Sequence, residues 1–271
     1  MRASAPAKIN LALVVGPARA DGKHEVMTIL QRVAIADRLD VEPAPAMRVD
    51  GFERDTLVRD ALELLAARAT TTTRWHARIE KRLPEAAGLG GGSSDAATAL
   101  RLANATLAQP LAPEDLHEVA AEVGADVPFF LYNGPRLASG DGTTLAPIEL
   151  PQDFFVLLVL PKDAWKPSTA SVYRAFDERN GAAGWDERRA RLLDVLERIT
   201  RARDLAALPE NDLARSPLAA RLLELGAFRA DVSGAGPTVY GLFHHEQHAK
   251  AARRALRGAG RTWLTAPAWY G

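Results

Sequence analysis

Between residues 84 and 98 the chain reads Pro84-Glu85-Ala86-Ala87-Gly88-Leu89-Gly90-Gly91-Gly92-Ser93-Ser94-Asp95-Ala96-Ala97-Thr98, with four glycines in five positions. Glycine admits backbone angles and close approaches that a Cβ blocks, while Ser and Asp favour the start of a helix. The segment is therefore expected to be a loop feeding a helix N-terminus, where bare backbone N–H groups can close around an anion. Upstream, Trp75-His76-Ala77-Arg78-Ile79-Glu80-Lys81 alternates apolar and polar residues in the manner of a half-buried strand. Strand, glycine loop and helix follow in order, and the expected ligand carries phosphates. A plain surface turn is the alternative, but such turns seldom need four glycines followed by helix-starting hydroxyls.

Two familiar phosphate loops are excluded. A Walker A loop requires Lys after its last glycine, and Gly92 is followed by Ser93. A dinucleotide fingerprint counted from Gly88 through Gly90 requires glycine at the sixth position, which is Ser93.

Composition narrows the rest. The 34 Lys and Arg balance the 34 Asp and Glu, so no global field draws nucleic acid or an anionic membrane, and neither is an expected partner. The absence of cysteine excludes disulfides, thiolate-zinc sites and a cysteine nucleophile, and points to the cytoplasm. Met1-Arg2-Ala3-Ser4-Ala5-Pro6 lacks the apolar core of a signal peptide, and no apolar run reaches membrane-spanning length. A chain of 271 residues, 47% hydrophobic, can hold two moderate domains, expected at 1–150 and 151–271.

Along the chain, Ile9–Val15 and Ile29–Val41 read as strands joined by the polar turn at Arg19–His24, and a helix is expected from about Asp55 to Arg68. Another helix should begin near Pro113 and stop at Gly124, just before Ala125-Asp126-Val127-Pro128. Pro151 and Pro161 bracket the apolar strand Phe154–Leu160. Beyond it, helices near 169–179, 186–199, 217–225 and 246–257 alternate with short strands near 228–232, 238–243 and 262–265. The class is α+β. Ser233-Gly234-Ala235-Gly236-Pro237 is a second glycine turn, either a tight connection in an antiparallel sheet or a further wall of the phosphate site.

Pro6-Ala7-Lys8-Ile9-Asn10-Leu11, the glycine loop and the Ser233–Pro237 turn, in that order and spacing, resemble the three signature motifs of the GHMP kinases. That superfamily includes galactokinase, homoserine kinase and mevalonate kinase. The resemblance implies a two-domain fold, with a left-handed βαβ unit in an S5-like N-terminal layer and a ferredoxin-like α/β sandwich at the C-terminus. Arg19-Ala20-Asp21-Gly22-Lys23-His24-Glu25 and Gly124-Ala125-Asp126-Val127-Pro128-Phe129 further resemble the branch that acts on a cytidine diphosphate methylerythritol. The implied activity is ATP-dependent phosphorylation of the 2-hydroxyl of that small molecule, in the non-mevalonate route to isoprenoid precursors. Another GHMP kinase, or a catalytically silent nucleotide binder on the same fold, is the alternative.

The resemblance assigns ATP to Pro84, Glu85, Ala86, Ala87, Gly88, Leu89, Gly90, Gly91, Gly92, Ser93 and Ser94, and implies Mg²⁺ bridging its phosphates, with Ser94 as a direct or water-mediated ligand. Phosphoryl transfer to an alcohol needs alignment, charge neutralisation and a route for the hydroxyl proton. Asp126, after a glycine and before an apolar run, suits a partly desolvated general base, or alternatively a turn or cap residue. By the resemblance Lys8 holds Asp126 ionised and stabilises transition-state charge; on its own it reads equally as a solvated charge. Asn10 shares a strand face with Lys8, and either binds substrate hydroxyls or is a satisfied sheet amide. His24, Thr169 and Tyr173 belong by resemblance to the cytidine pocket; otherwise they are an exposed histidine, a helix cap and an apolar helix residue.

The chain departs from the family pattern in three places. Lys23 stands where an aromatic is common, Glu85-Ala86-Ala87 replaces extra glycines, and Gly140-Asp141-Gly142-Thr143-Thr144 has Thr where an acidic residue is expected. His244 and His248 are spaced for a metal on a helix, but the string is not H-E-x-x-H and no third ligand is evident, so a solvated helix start is expected there.

Overall fold

The computed structural model describes residues 1–52, 57–163 and 168–268. Two long strands, β1 (Arg2–Ala18) and β2 (His24–Ala44), form the spine of the first sheet and pair antiparallel from Arg2↔Asp40 to Ala18↔His24. Both extend well beyond the apolar runs that announce them. Ala5 to Gly16 is buried throughout because both faces of β1 are covered: Ala7, Ile9 and Leu11 join one core, while Lys8 and Asn10 point to the other side.

The free edge of β2 takes β4 (Arg74–Glu80) at one end and β5 (Arg136–Gly140) at the other, with β3 (Arg48–Asp50) parallel to β4 and β6 (Thr144–Pro147) on β5. β3, β5 and β6 have no counterpart among the sequence expectations; each is only three to five residues long. Helices α1 (Leu57–Arg68), α2 (Gly91–Asn104) and α3 (Pro113–Val123) cover one face and close a core around Leu62, Trp75, Leu100 and Phe129. The expected first residue of α1, Asp55, lies outside the described residues. Thr70–Thr73 connects α1 to β4, and Gly124 caps α3, as expected.

The second sheet holds β7 (Phe155–Pro161), β8 (Arg229–Val232), β9 (Val239–Phe243) and β10 (Gly260–Thr265) in the order β10-β7-β9-β8, every pair antiparallel. With helices between β7 and β8 and between β9 and β10, this is the ferredoxin-like order expected for the C-terminal half. The helices are α4 (Thr169–Glu178), α5 (Trp185–Arg198), α6 (Pro217–Glu224) and α7 (Glu246–Ala255). Ser168 caps α4 by accepting from Ser171 N–H, so Thr169 is the first helical residue and not the cap.

The sheets share a core in which Ile9, Leu11 and Ile29 meet Val156, Leu158, Tyr240 and Leu242, with Leu150 and Phe154 on either side of residue 151 in the same cluster. Beyond β10 the chain returns to the first sheet. Ala34 N–H donates to Ala266 O and Ala268 N–H to Arg32 O, filling the stretch of β2 between β4 and β5.

Candidate active site

Four segments far apart in sequence converge at the N-terminus of α2. The loop turns its carbonyls into the protein: Leu89 O accepts from Lys8 N–H at 2.9 Å, Gly88 O from Ser233 Oγ at 2.9 Å, and Ala87 O from Thr238 N–H at 3.2 Å. At Gly88, with φ +79°, a Cβ would lie 2.4 Å from Ser233 O, so only glycine lets the two turns touch. The first helical bond of α2 runs from Ser94 N–H to Gly90 O, which leaves the N–H groups of Gly91, Gly92 and Ser93 without a helical acceptor. That is the donor set an anion requires. The hydroxyls sit inside the helix rather than capping it, since Gly90 in the left-handed region is the N-cap. Ser94 is fully buried and its Oγ has no hydrogen-bond partner among the described residues.

Lys8 and Asn10 stand on one face of β1 below this loop. Lys8 is 4% exposed; its Nζ donates to Asn10 Oδ1 at 2.7 Å and lies 3.2 Å from Asp126 Oδ2. Asn10 Nδ2 donates to Thr28 Oγ1, which in turn donates to the Ala12 carbonyl. Both ends of the amide are thus engaged within the protein, and Asn10 acts first on the lysine. The Asp126 carboxylate is 44% exposed, so the buried partner of the pair is the lysine and the accessible one the carboxylate. The Ser233–Pro237 turn closes the far side, where a Cβ on Gly234 would come within 3.3 Å of Asn10 Oδ1 and 3.4 Å of Lys8 Nζ. Asn211 holds that turn by donating to Val232 O and Gly234 O.

His24, at the start of β2, is buried with its Nε2 2.7 Å from Asp177 Oδ1. A carboxylate only accepts, so Nε2 carries the hydrogen. The His24 ring lies 4.9 Å from Tyr173 and edge-on to Phe176, both on α4. Burial, reinforced by the charge on Asp126, pushes the Tyr173 hydroxyl up to about 12, which keeps it protonated and places it in the field of the carboxylate. His24 and Tyr173 therefore contact each other directly, and a flat ring would lie against the pair rather than between them. Thr169, one turn before Tyr173, is exposed; Pro167, part of the same expected stretch, lies outside the described residues. Lys23 points the other way and pairs with Asp141 at 2.6 Å. A cavity of about 360 Å³ opens beside these strands, lined by Glu25, Met27, Gly140, Trp185 and Arg189 among others.

One cluster had no signal in the sequence. Lys81 Nζ lies 2.6 Å from Asp37 Oδ2 and 2.8 Å from Asp95 Oδ2, and both carboxylates are completely buried. Burial would lower the lysine, but Asp95 and Asp37 outweigh it and raise it. Asp37 Oδ1 also accepts from the N–H groups of Arg82 and Leu83, so the triad pins the loop's entry to β2 and to α2. The histidines at 244–248 are spent locally: His244 stacks on Phe228 with centroids 4.3 Å apart, and His245 is the N-cap of α7.

Residues 56–134, carrying the glycine loop and Asp126, match the model of the GHMP kinases N terminal domain, and residues 216–262, carrying the second glycine turn, match GHMP kinases C terminal. A 4-diphosphocytidyl-2-C-methyl-D-erythritol kinase of Anaeromyxobacter dehalogenans is 40% identical, with 95% of this chain and 85% of the relative covered. The chain belongs to the 4-diphosphocytidyl-2-C-methyl-D-erythritol kinases. Members from Deinococcus radiodurans, 38% identical over 97% of this chain and 91% of the relative, and from Bacillus pumilus, 36% identical over 94% and 92%, match over similar spans. A crystal structure of 4-(cytidine 5'-diphospho)-2C-methyl-D-erythritol kinase superposes with a TM-score of 0.79 at 32% identity, covering both chains fully. A mevalonate kinase, at 14% identity and a TM-score of 0.75 over 98% of this chain and 99% of that one, shares the fold. For a 4-diphosphocytidyl-2-C-methyl-D-erythritol kinase family member, a small-molecule kinase, the glycine loop with its free N–H groups and the buried lysine beside an accessible carboxylate are consistent in kind with the chemistry.

Proposed function

We propose that this chain transfers the γ-phosphoryl group of ATP to the 2-hydroxyl of 4-(cytidine 5'-diphospho)-2-C-methyl-D-erythritol, a step of the non-mevalonate route to isoprenoid precursors. The observation that carries the reading is the 3.2 Å contact between buried Lys8 and half-exposed Asp126 at the mouth of the glycine loop. Asp126 accepts the proton of the attacking hydroxyl as its oxygen bonds to the γ-phosphorus, and the bond to the bridging oxygen breaks to release ADP. Lys8 stands against the carboxylate and offsets the negative charge that builds on the transferring group. Asn10 aims the ammonium, and the N–H groups of Gly91, Gly92 and Ser93 hold the donor phosphates.

The residues present fit a magnesium ion carried by the nucleotide. No group of three or more His, Cys, Asp or Glu side chains suited to a metal occurs among the described residues, whereas the Ser94 hydroxyl is buried and unpartnered. Mg²⁺ commonly takes few protein ligands beside substrate phosphates and supplies charge neutralisation there. Pro84 through Ser94 are the ATP-binding stretch in this reading, and His24, Tyr173 and Thr169 face the cytidine end of the acceptor. The cysteine-free composition supports a cytoplasmic setting.

A coupled ADP-release assay across the cytidyl methylerythritol, homoserine and mevalonate tests the assignment. Turnover of the cytidyl alcohol alone is expected; turnover of only a non-cytidyl alcohol overturns it.

A further inference from the structure

Lys8 pairs with Arg32 across β1 and β2, and Leu30 pairs with Arg136 across β2 and β5. Opposite residues share a face, as do residues two apart, so Lys8, Arg32 and Arg136 all stand on the side of the sheet covered by α2. To this row of cations α2 adds Arg101 in its last turn. Lys8 has Asp126 for a partner, but none of the three arginines has a carboxylate within ion-pair distance among the described residues.

Arg32 is the most exceptional of them, at 2% exposure. Its Nη2 donates to Phe130 O at 2.7 Å and its Nη1 reaches Asn133 Oδ1 only at 3.4 Å; the guanidinium sits over the Phe129 ring, and buried Nε has no hydrogen-bond partner among the described residues. Burial, and then the charges of Arg101 and Arg136, lower it to about 10.

Each arginine has an ordinary reading alone. Arg136 lies over the Tyr132 ring at 5.3 Å, Arg101 complements the helix C-terminus, and Arg32 anchors the Phe130 carbonyl. None of these supplies negative charge, while like charges on neighbouring positions repel and a buried guanidinium without an anion is costly. We propose that Arg32, Arg101 and Arg136, with Asn133 at the rim, form a binding site for a small phosphate-class oxyanion, separate from the glycine loop. Arg101 is ten residues along α2 from Gly91, about 15 Å at the helical rise. Arg101 and Arg136, both half-exposed, present planar forks suited to tetrahedral oxyanions, and Arg32 supplies charge from beneath.

The test is the melting temperature of the full chain in inorganic phosphate titrated against chloride at constant ionic strength. The wild type is expected to show a saturable, phosphate-specific rise. Arg101→Gln and Arg136→Gln should each raise the midpoint phosphate concentration about tenfold, and the double variant should lose this component, keeping only the response of the glycine loop, while melting no lower than wild type in chloride. No phosphate-specific rise in the wild type overturns the proposal. So does an unchanged midpoint in the double variant, which places the phosphate elsewhere, or a double variant less stable in chloride, which makes the cluster stabilising without an anion.

Discussion

In the proposed mechanism Lys8 and Asp126 contribute in different ways: the lysine is buried and oriented by Asn10, and the carboxylate is open to an incoming hydroxyl. Asp126→Ala should therefore lower turnover by about 10²- to 10⁴-fold, the usual contribution of a positioned base, and leave ATP affinity unchanged in an equilibrium titration. Near-normal turnover would sink the assignment. The departure at Lys23 has a different consequence. Burial would raise the Asp141 carboxyl, but the Lys23 ammonium and the Thr143 hydroxyl and N–H outweigh it and hold it at about 2. Because the folded value is depressed, the pair stabilises the fold above the unfolded value near 3.9 and the contribution fades as pH falls through 2. Half-exposed Lys23 weakens it by screening, so Asp141→Asn should cost about 1 kcal/mol at pH 7 and only a small fraction of that at pH 2, where the carboxyl is half protonated, as read from urea melts across that range. An equal cost at both pH values would contradict the ionic account.

The glycine loop works as an element because neighbours on both sides hold it. Gly88→Ala would drive a Cβ into Ser233 O, separating the two glycine turns; a stability loss of about 2 kcal/mol or more and a raised KM for ATP are expected, and an unchanged KM would show that the contact is dispensable. At the loop's entry, Lys81→Met leaves Asp37 and Asp95 buried without their shared cation and should cost about 3–5 kcal/mol in chemical denaturation. A cost below about 1 kcal/mol, the range of an exposed pair, would mean the triad is solvated. These two elements also divide what the sequence could show. The loop, the Lys8 and Asn10 face and Asp126 beyond the end of α3 were legible because each is a local pattern: clustered glycines, period-two alternation, a glycine stop. The Lys81 triad joins residues 14 and 44 positions apart, and His24–Asp177 spans 153, distances over which no periodicity operates. Short β3, β5 and β6 escaped for a related reason, since three to five residues carry too little alternation and take their conformation from β4, β2 and β5, on which they pair. Asn10 was legible in position but not in role, because its partner Thr28, 18 residues away on β2, is set by sheet register.

At the scale of the molecule, the glycine loop belongs to the first half of the chain and the turn that closes over it to the second, so the site exists only where the halves meet. Three structural links bind them: the shared core of Ile9 and Leu11 with Val156, Leu158 and Tyr240, the bond from Tyr240 hydroxyl to Leu11 O, and residues 266–268 returned to the open stretch of β2. Asp212 adds another, accepting from Val15 N–H while its own N–H donates to Leu13 O. We therefore propose that 1–150 and 151–271 are two domains of one cooperative unit. Separated, the second fragment would expose the β7 and β9 side chains that pack on β1, and the first would lose the segment covering β2, leaving an apolar face on one and an unpaired edge on the other. Calorimetry of the full chain should show one transition whose calorimetric and van't Hoff enthalpies agree, and saturating ATP should shift it as a whole, since the nucleotide binds only the assembled site. Two resolved transitions, with only the lower one moving on ATP addition, would show that the halves fold independently and that the shared core contributes little.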